Sequence, residues 1–207
     1  MSFVNQCYDQ PVSDVAGYIL VGGKSSRFGR DKALVDIGRR PLVLRVADAL
    51  AHLTGTVTLV GSPEKYRHLG LRVIPDALAD FGPLAGILAA LEDSNSAWNL
   101  LVACDMPGIS SEFLSFLLAT ARESQADVIL PLDTEGRAEP LCAAYSLGSQ
   151  EAIRQAVERG THKVTAAFDG LRVRRLMPAE YAGFDPEGRL FANLNSPGDW
   201  EKLARKG

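Results

Sequence analysis

The chain has 207 residues, of which 46% are hydrophobic, and a formal net charge of -3 at pH 7. This length suits a single domain with one core, and the charge gives no electrostatic reason to expect nucleic-acid or membrane binding. Cys7, Cys104 and Cys142 have unrelated spacings, which argues against a disulfide framework and favours a reducing, cytoplasmic compartment.

Residues 1–14 are polar and lack the basic and apolar stretches of a signal peptide. We therefore expect a flexible tail over residues 1–14, followed by a single domain over residues 15–207. Residues 15–21 form a continuous apolar run that ends at two glycines, a pattern that predicts a short buried strand.

The segment after that strand combines glycines with basic side chains. Gly22 and Gly23 permit positive φ angles and let a ligand approach the backbone, and successive N–H groups in such a turn bind anions. Arg27, Arg30 and Lys32 add mobile positive charge close by. The loop therefore predicts phosphate binding, with an ordinary solvated strand-to-helix turn as the alternative.

Two common phosphate-binding loops are excluded. The Walker loop requires a lysine directly after its last glycine, whereas Gly29 is followed by Arg30 and Asp31. The dinucleotide fingerprint G-x-G-x-x-G is also missing from residues 22–27.

The following segments alternate between strand and helix patterns. Apolar runs predict strands over residues 56–60, 71–74, 98–103, 127–131, 139–145 and 171–176, with a brief apolar segment at 33–37. Helical spacing predicts helices over residues 42–53, 64–69, 83–91, 111–118, 151–159 and 198–205, the first of them with Pro41 in its first turn. This order is typical of a Rossmann-like, three-layer α/β/α fold whose mostly parallel sheet binds ligands at the carboxyl ends of its strands.

Two carboxylates follow predicted strands and should lie at that edge. Asp76 comes after the strand at 71–74, and Asp105 after the strand at 98–103. A carboxylate there is costly unless something pairs with it, and Mg²⁺ carried by a triphosphate is a suitable partner. The alternative is a turn residue before Pro107, although Ser110 and Ser111 already supply caps for the next helix.

The pattern L-x-G-G-x-S-x-R-x-G-x-D-K-A-L over residues 20–34 resembles the signature of the nucleotidyltransferases that act on the molybdenum cofactor, and in particular of their guanylyltransferases. Four further segments match that family in order: G-P-L-A-G at 82–86, C-D-M-P at 104–107, G-R-x-E-P-L at 136–141 and N-x-N-[ST]-P at 193–197. The resemblance implies a nucleotidyltransferase fold. It also implies Mg²⁺-dependent transfer of GMP from GTP to the terminal phosphate of molybdopterin, with release of pyrophosphate.

The resemblance assigns roles to individual positions. Arg27, Lys32 and Asp105 are expected to be catalytic, with Asp105 as the metal ligand. Nucleotide contacts are expected from Leu20, Val21, Gly22, Gly23, Lys32, Asp76 and Asp105. Acceptor contacts are expected from Asn193 and Asn195. The implied partners are GTP and molybdopterin, together with proteins that load molybdopterin or act as molybdoenzyme chaperones.

The choice of nucleobase depends on few residues. Members of the family often have an asparagine after the second strand, where this chain has Gly61 and Ser62. Cytidylyl relatives tend to carry Ala-Gly where Gly22 and Gly23 stand, so the glycine pair leaves room for a purine and favours GTP.

Four alternatives remain open. The nearest are a cytidylyltransferase that acts on molybdopterin and a nucleotidyltransferase that acts on a sugar phosphate. A non-catalytic nucleotide-binding partner in molybdoenzyme assembly is a different class. An oxidoreductase with a dinucleotide fold is disfavoured, because the fingerprint is missing.

Overall fold

The computed structural model describes residues 14–22, 31–37 and 40–192, and the structural statements below concern that part of the chain. Its strands are β1 (Val15–Leu20), β2 (Asp36–Ile37), β3 (Arg40–Pro41), β4 (Val57–Val60), β5 (Arg72–Ile74), β6 (Trp98–Ala103), β7 (Val128–Pro131), β8 (Cys142–Ser146) and β9 (Val173–Leu176). Its α-helices are α1 (Leu42–Ala51), α2 (Pro63–Tyr66), α3 (Pro83–Asp93), α4 (Ser111–Glu123), α5 (Gln150–Glu158) and α6 (Pro178–Tyr181). Short 3-10 turns include Lys32–Leu34, Arg67–Leu69 and Ala182–Phe184.

Seven strands form one sheet in the order β5-β4-β1-β6-β8-β7-β9. Every neighbouring pair is parallel except those that involve β8, which is antiparallel to both β6 and β7. The short polar connection from β7 to β8 explains this exception, because a parallel pair needs a long crossover. The mostly parallel sheet confirms the predicted fold class.

Both faces of the sheet are covered by helices, because its central strands are apolar on both sides. In β1, Val15 and Ile19 point into the core beneath α1 and α4, while Ala16 and Tyr18 point into the core beneath α3 and α5. This alternation of side chains along a strand produces the three layers. None of the described helices has both the length and the apolar character needed to cross a membrane.

The structure refines the boundaries of several predicted elements. The apolar segment at 33–37 begins as the 3-10 turn and then pairs, as β2, with β3 in a separate two-stranded ladder. Pro41 lies in β3 and is the N-cap of α1, not within its first turn as predicted, because its ψ of 138° is extended and not helical. The Leu42 N–H then bonds to the Val35 carbonyl at 2.9 Å. Ser110 caps α4 as predicted, since its Oγ accepts from the Phe113 N–H at 3.2 Å. The predicted helix at 198–205 lies outside the described residues.

Candidate active site

The strand order creates a cleft where the chain turns to opposite sides of β1. The connection from β1 to β4 runs through α1 on one face, and α3 leads into β6 from the other face. At such a switch point the connections diverge and leave a crevice beyond the carboxyl ends of the strands. Here the crevice has a volume of about 870 Å³ and is bordered by residues that follow β1, β4, β5 and β6.

The wall at the end of β1 is tightly built. Gly22 has φ +117°, a conformation that side chains rarely adopt, and a Cβ there would meet nothing within 4 Å. A glycine is therefore required at position 22 by the backbone conformation of the turn and not by crowding. Gly61 at the end of β4 is the opposite case, because a Cβ there would overlap the carbonyl oxygen of Val21 and lie 2.8 Å from its Cγ2.

A cation and a carboxylate meet across the cleft. The Cys104 N–H donates to the Leu20 carbonyl at 3.1 Å, which extends the pairing of β1 with β6 by one residue and delivers Asp105 at the edge. The Lys32 Nζ lies 3.6 Å from Oδ2 of Asp105, and these side chains are 18% and 27% exposed. Two of the three predicted catalytic residues, Lys32 and Asp105, therefore meet at this edge, as the carboxyl-end rule requires.

Lys32 is carried by a small, well-supported turn. Asp31 caps this turn, because its Oδ1 accepts from the Ala33 N–H at 3.1 Å. Its Oδ2 accepts a hydrogen bond of 2.6 Å from the hydroxyl of Tyr66, the last residue of α2. Burial and the adjacent Asp31 carboxylate raise the pKa of Tyr66, so the phenol stays neutral and remains a donor.

Asp76 packs against the first turns of α3. A Cβ on Gly86 would lie 3.1 Å from Oδ1 of Asp76 and 3.0 Å from Cδ2 of Leu20. The small residue in α3 therefore gives room to a strand end and a carboxylate at once, which explains the glycine that the sequence places there. Desolvation by these cleft walls raises the pKa of Asp76.

The donor set fits magnesium. A metal site built from protein ligands alone would require a group of three or more His, Cys, Asp or Glu side chains. The described residues include no such group. Mg²⁺ instead takes one or two carboxylates together with substrate phosphates and water, and Asp105 offers such a carboxylate at the cleft. Its neighbour Cys104 is a buried core residue. Burial raises the pKa of its thiol to about 12, which keeps the thiol protonated.

The structure describes six of the ten predicted site residues. One cleft brings together Leu20, Val21, Gly22, Lys32, Asp76 and Asp105. The remaining predicted residues, Gly23, Arg27, Asn193 and Asn195, lie outside the described residues. The roles of all ten residues stay predictions.

The sequence reasoning missed the contribution of α2 and the residues around it. Ser62, Lys65 and Tyr66 line the cleft beside Asp31. Ser62 occupies the N-cap of α2 but its side chain makes no capping hydrogen bond. The signal was available, because the carboxyl-end rule applies to β4 as it does to β1 and β6.

A further carboxylate lies near this edge. Glu139 precedes the cleft-lining Leu141, whose carbonyl accepts from the Ala103 N–H at 2.7 Å. Burial, together with the nearby charge of Asp133, raises the pKa of Glu139 to about 7, although Arg137 opposes this shift. The chain thus holds a carboxyl group that titrates near neutral pH, a property that only its surroundings produce.

Comparison with known proteins places the chain among nucleotide-handling enzymes. The model of the MobA-like NTP transferase domain matches residues 17–173. The chain is 36% identical over 187 residues to a probable molybdenum cofactor guanylyltransferase from Pelotomaculum thermopropionicum, covering 90% of each chain. It is 40% identical over 155 residues to a protein of the same description from Pyrococcus furiosus, covering 72% of this chain and 77% of that one.

A solved structure shares the fold. The molybdopterin-guanine dinucleotide biosynthesis protein A from Archaeoglobus fulgidus matches with a TM-score of 0.79, covering 92% of this chain and 97% of that chain. At 24% sequence identity, this likeness concerns the fold alone. The matched architecture is the same three-layer arrangement that forms the cleft.

Proposed function

This chain belongs to the family of MobA-like NTP transferase domains, and we propose that it transfers GMP from GTP to the terminal phosphate of molybdopterin. The products are pyrophosphate and the guanine dinucleotide form of the molybdenum cofactor. The observation that carries this proposal is the pairing of Lys32 with Asp105, 3.6 Å apart at the carboxyl edge of β1 and β6. The relatives named as guanylyltransferases support the choice of GTP.

The reaction asks for positioning and charge compensation more than for proton transfer. An oxygen of the acceptor phosphate forms a bond to the α-phosphorus of GTP, while the bond from that phosphorus to the bridging oxygen breaks and its electrons leave with pyrophosphate. Because the acceptor phosphate is already an anionic nucleophile, no serine–histidine pair is needed. Holding two anions in line and stabilising the leaving group supply the rate enhancement.

The residues of the cleft divide this work. Lys32 places one positive charge where the phosphates lie, and we propose that Arg27 supplies a second. Gly22, with its positive φ, lets the triphosphate approach the backbone N–H groups. Asp105 would hold Mg²⁺, which when bound neutralises part of the triphosphate charge and stabilises the departing pyrophosphate.

The remaining assignments complete the proposal. Leu20, Val21, Gly23 and Asp76 contact the nucleotide, and the segment with Asn193 and Asn195 contacts the acceptor. We propose a cytoplasmic enzyme that works with proteins that load molybdopterin or act as molybdoenzyme chaperones. Its extent as one domain over residues 15–207, after a tail over residues 1–14, also stays a prediction.

Thermal unfolding with Mg²⁺ and each nucleoside triphosphate tests the substrate. A ligand that binds only the folded chain stabilises it, by about 2.7 kcal/mol at a hundred times its Kd. Among the nucleoside triphosphates tested with Mg²⁺, we expect only GTP to raise the Tm. A shift with CTP alone would move the reaction to cytidylyl transfer.

A transfer assay then tests the chemistry. GTP labelled at its α-phosphate is incubated with molybdopterin and Mg²⁺, and label in the dinucleotide is measured together with released pyrophosphate. We expect the two products in equal amounts. GTP binding without either product would make the chain a non-catalytic nucleotide-binding protein.

A further inference from the structure

Tyr66 lies at the cleft but is almost completely buried. Only 1% of its surface is exposed, and its hydroxyl donates to Oδ2 of Asp31 at 2.6 Å. A buried phenol needs a hydrogen-bond partner, and a carboxylate is a strong one. The contact joins α2, which follows β4, to the segment that follows β1.

Asp31 passes this connection on to Lys32. Its other oxygen, Oδ1, accepts from the Ala33 N–H at 3.1 Å, so that both carboxylate oxygens are engaged. The turn then closes through the Leu34 N–H to the Asp31 carbonyl at 3.1 Å and the Val35 N–H to the Lys32 carbonyl at 3.2 Å. Asp31 thus accepts two of the three backbone hydrogen bonds that hold the turn around Lys32, and the third ends on the Lys32 carbonyl itself.

The hydrogen bond from Tyr66 to Asp31 connects two walls of the cleft. Ser62 and Lys65 of the β4–α2 segment line the cleft on the side of Tyr66, whereas Lys32 lines it beside Asp105. The long lysine side chain has many rotamers, and ordering it costs entropy when it binds phosphate. When the backbone of Lys32 is already fixed, only its side chain has to be ordered on binding, so the entropy cost of binding is smaller.

We infer that the hydrogen bond from Tyr66 to Asp31 positions Lys32 for the phosphates of the nucleotide. Tyr66 is thus a positioning residue that acts through Asp31, and Asp31 acts through the turn that carries Lys32. This inference rests on the proposed function only in taking Lys32 to bind phosphate. By this inference α2 contributes to phosphate binding through Tyr66, a neutral residue that positions Lys32 and does not itself contact the phosphates.

A second tyrosine provides a matched control. Tyr18 is 3% exposed, and its hydroxyl donates to Oδ2 of Asp93 at 3.0 Å. Asp93 is the last residue of α3, and neither partner is among the described residues that line the cleft. Tyr18→Phe therefore removes the same kind of buried tyrosine–aspartate bond far from Lys32.

The test compares Tyr66→Phe with Tyr18→Phe in the full chain. Affinities for Mg²⁺-GTP and for Mg²⁺-pyrophosphate are measured by calorimetry, and stability by thermal unfolding. We expect Tyr66→Phe to lower the affinity for both ligands on the order of tenfold. Tyr18→Phe should bind both ligands with the affinity of the wild type. Both variants should lose stability, because each loses a buried hydrogen bond.

Double-mutant analysis separates positioning from a general structural effect. In the Lys32→Ala background, Tyr66→Phe should cause no further loss of pyrophosphate affinity, because its effect passes through Lys32. Hydrogen exchange should be faster at the amides of residues 33–35 in Tyr66→Phe and unchanged in Tyr18→Phe. The exchange measurement needs no ligand.

Three results would overturn the inference. These are wild-type affinities in Tyr66→Phe, an undiminished further loss in the Lys32→Ala background, and equal losses of affinity in the two tyrosine variants. If the wild type binds Mg²⁺-pyrophosphate but not GTP, guanylyl transfer is wrong and the pyrophosphate affinities still decide the role of Tyr66. If it binds neither ligand, both proposals fail.

Discussion

Lys32 and Asp105 form an ion pair whose value lies in chemistry more than in stability. Each side chain is partly exposed, at 18% and 27%, and the charges are 3.6 Å apart. Partly exposed pairs of this kind contribute about 0–1 kcal/mol to folding, because water screens them. Replacing either residue should therefore leave the fold intact and reveal its effect on the reaction.

For Asp105→Ala we expect turnover to fall on the order of a hundredfold or more, because the carboxylate proposed to hold Mg²⁺ is removed. The Tm should change by only a few degrees, as expected for a pair worth about 1 kcal/mol. Steady-state kinetics at several Mg²⁺ concentrations measure the first effect, and thermal unfolding the second. Activity that stays Mg²⁺-dependent at the wild-type level would refute the metal assignment.

For Lys32→Ala we expect weaker GTP binding, because a positive charge beside the phosphates is lost. Lys32→Arg keeps the charge and should recover part of the affinity, though not all, since the guanidinium has a different shape. Calorimetric titration of all three proteins with Mg²⁺-GTP provides the comparison. Equal affinities in the wild type and Lys32→Ala would show that this side chain does not bind the phosphates.

Among the elements, the ends of β1 and β4 set the width of the cleft. The Val21 N–H donates to the Val60 carbonyl at 2.9 Å, and Gly61 then lies directly against the Val21 backbone. In α3, Gly86 lets the helix approach Leu20, where a Cβ would lie 3.0 Å from Cδ2. Small residues on neighbouring elements therefore determine how near the strand ends and α3 lie to one another around the cleft.

Gly61→Ala should force these strand ends apart, because the new methyl group would overlap the Val21 carbonyl oxygen. Overpacking typically costs about 1–3 kcal/mol, and the Tm falls by roughly 2–4 °C per kcal/mol in a chain of this size. Gly183→Ala is the matched control, because a Cβ there meets nothing within 4 Å. Similar melting temperatures for the two variants would contradict this account of the cleft wall.

At the scale of the whole molecule, charge is distributed for local use. The net charge is only -3, yet the cleft holds Lys32 and Lys65 together with Asp31, Asp76 and Asp105. In the proposed function, a polyanionic substrate meets a few placed cations and the carboxylate proposed to bind the metal. A basic protein surface is unnecessary for this purpose.

Glu139 makes the stability of the whole chain depend on pH. Its pKa rises from the ordinary value of 4.5 to about 7 on folding, so between these values the folded chain binds a proton that the unfolded chain has lost. The free energy of unfolding contributed by this group therefore falls as pH rises from about 4.5 to 7. Asp93 and Asp127 have lowered pKa values, so their contributions change below this range.

Glu139→Gln should remove the part of the fall in the free energy of unfolding that Glu139 causes as pH rises. We expect its free energy of unfolding, relative to the wild type, to increase between pH 5 and pH 8 in denaturant titrations. Glu64→Gln, at an exposed position of α2, should run parallel to the wild type over the same range. A parallel curve for Glu139→Gln would place the titrating group elsewhere.

Much of the architecture could be predicted from local sequence. The apolar runs located all seven strands of the main sheet to within a few residues, and the inward stripe of α5, Ile153, Ala156 and Val157, is buried as its spacing predicts. The segment at 33–37 was harder, because two residues of β2 and two of β3 pair only with each other. So short a ladder leaves almost no periodic pattern to detect.

Local patterns in the sequence predict the layered fold, the edge of the sheet at which the cleft lies, and the motifs after β1 and β6. Alternating apolar segments and turn residues are local properties, and they allow few other arrangements. The contact of Tyr66 with Asp31, the pairing of Lys32 with Asp105 and the pKa of about 7 for Glu139 are visible only in the folded chain. Such contacts and pKa shifts depend on distances and burial between residues far apart in the chain, which no local pattern encodes.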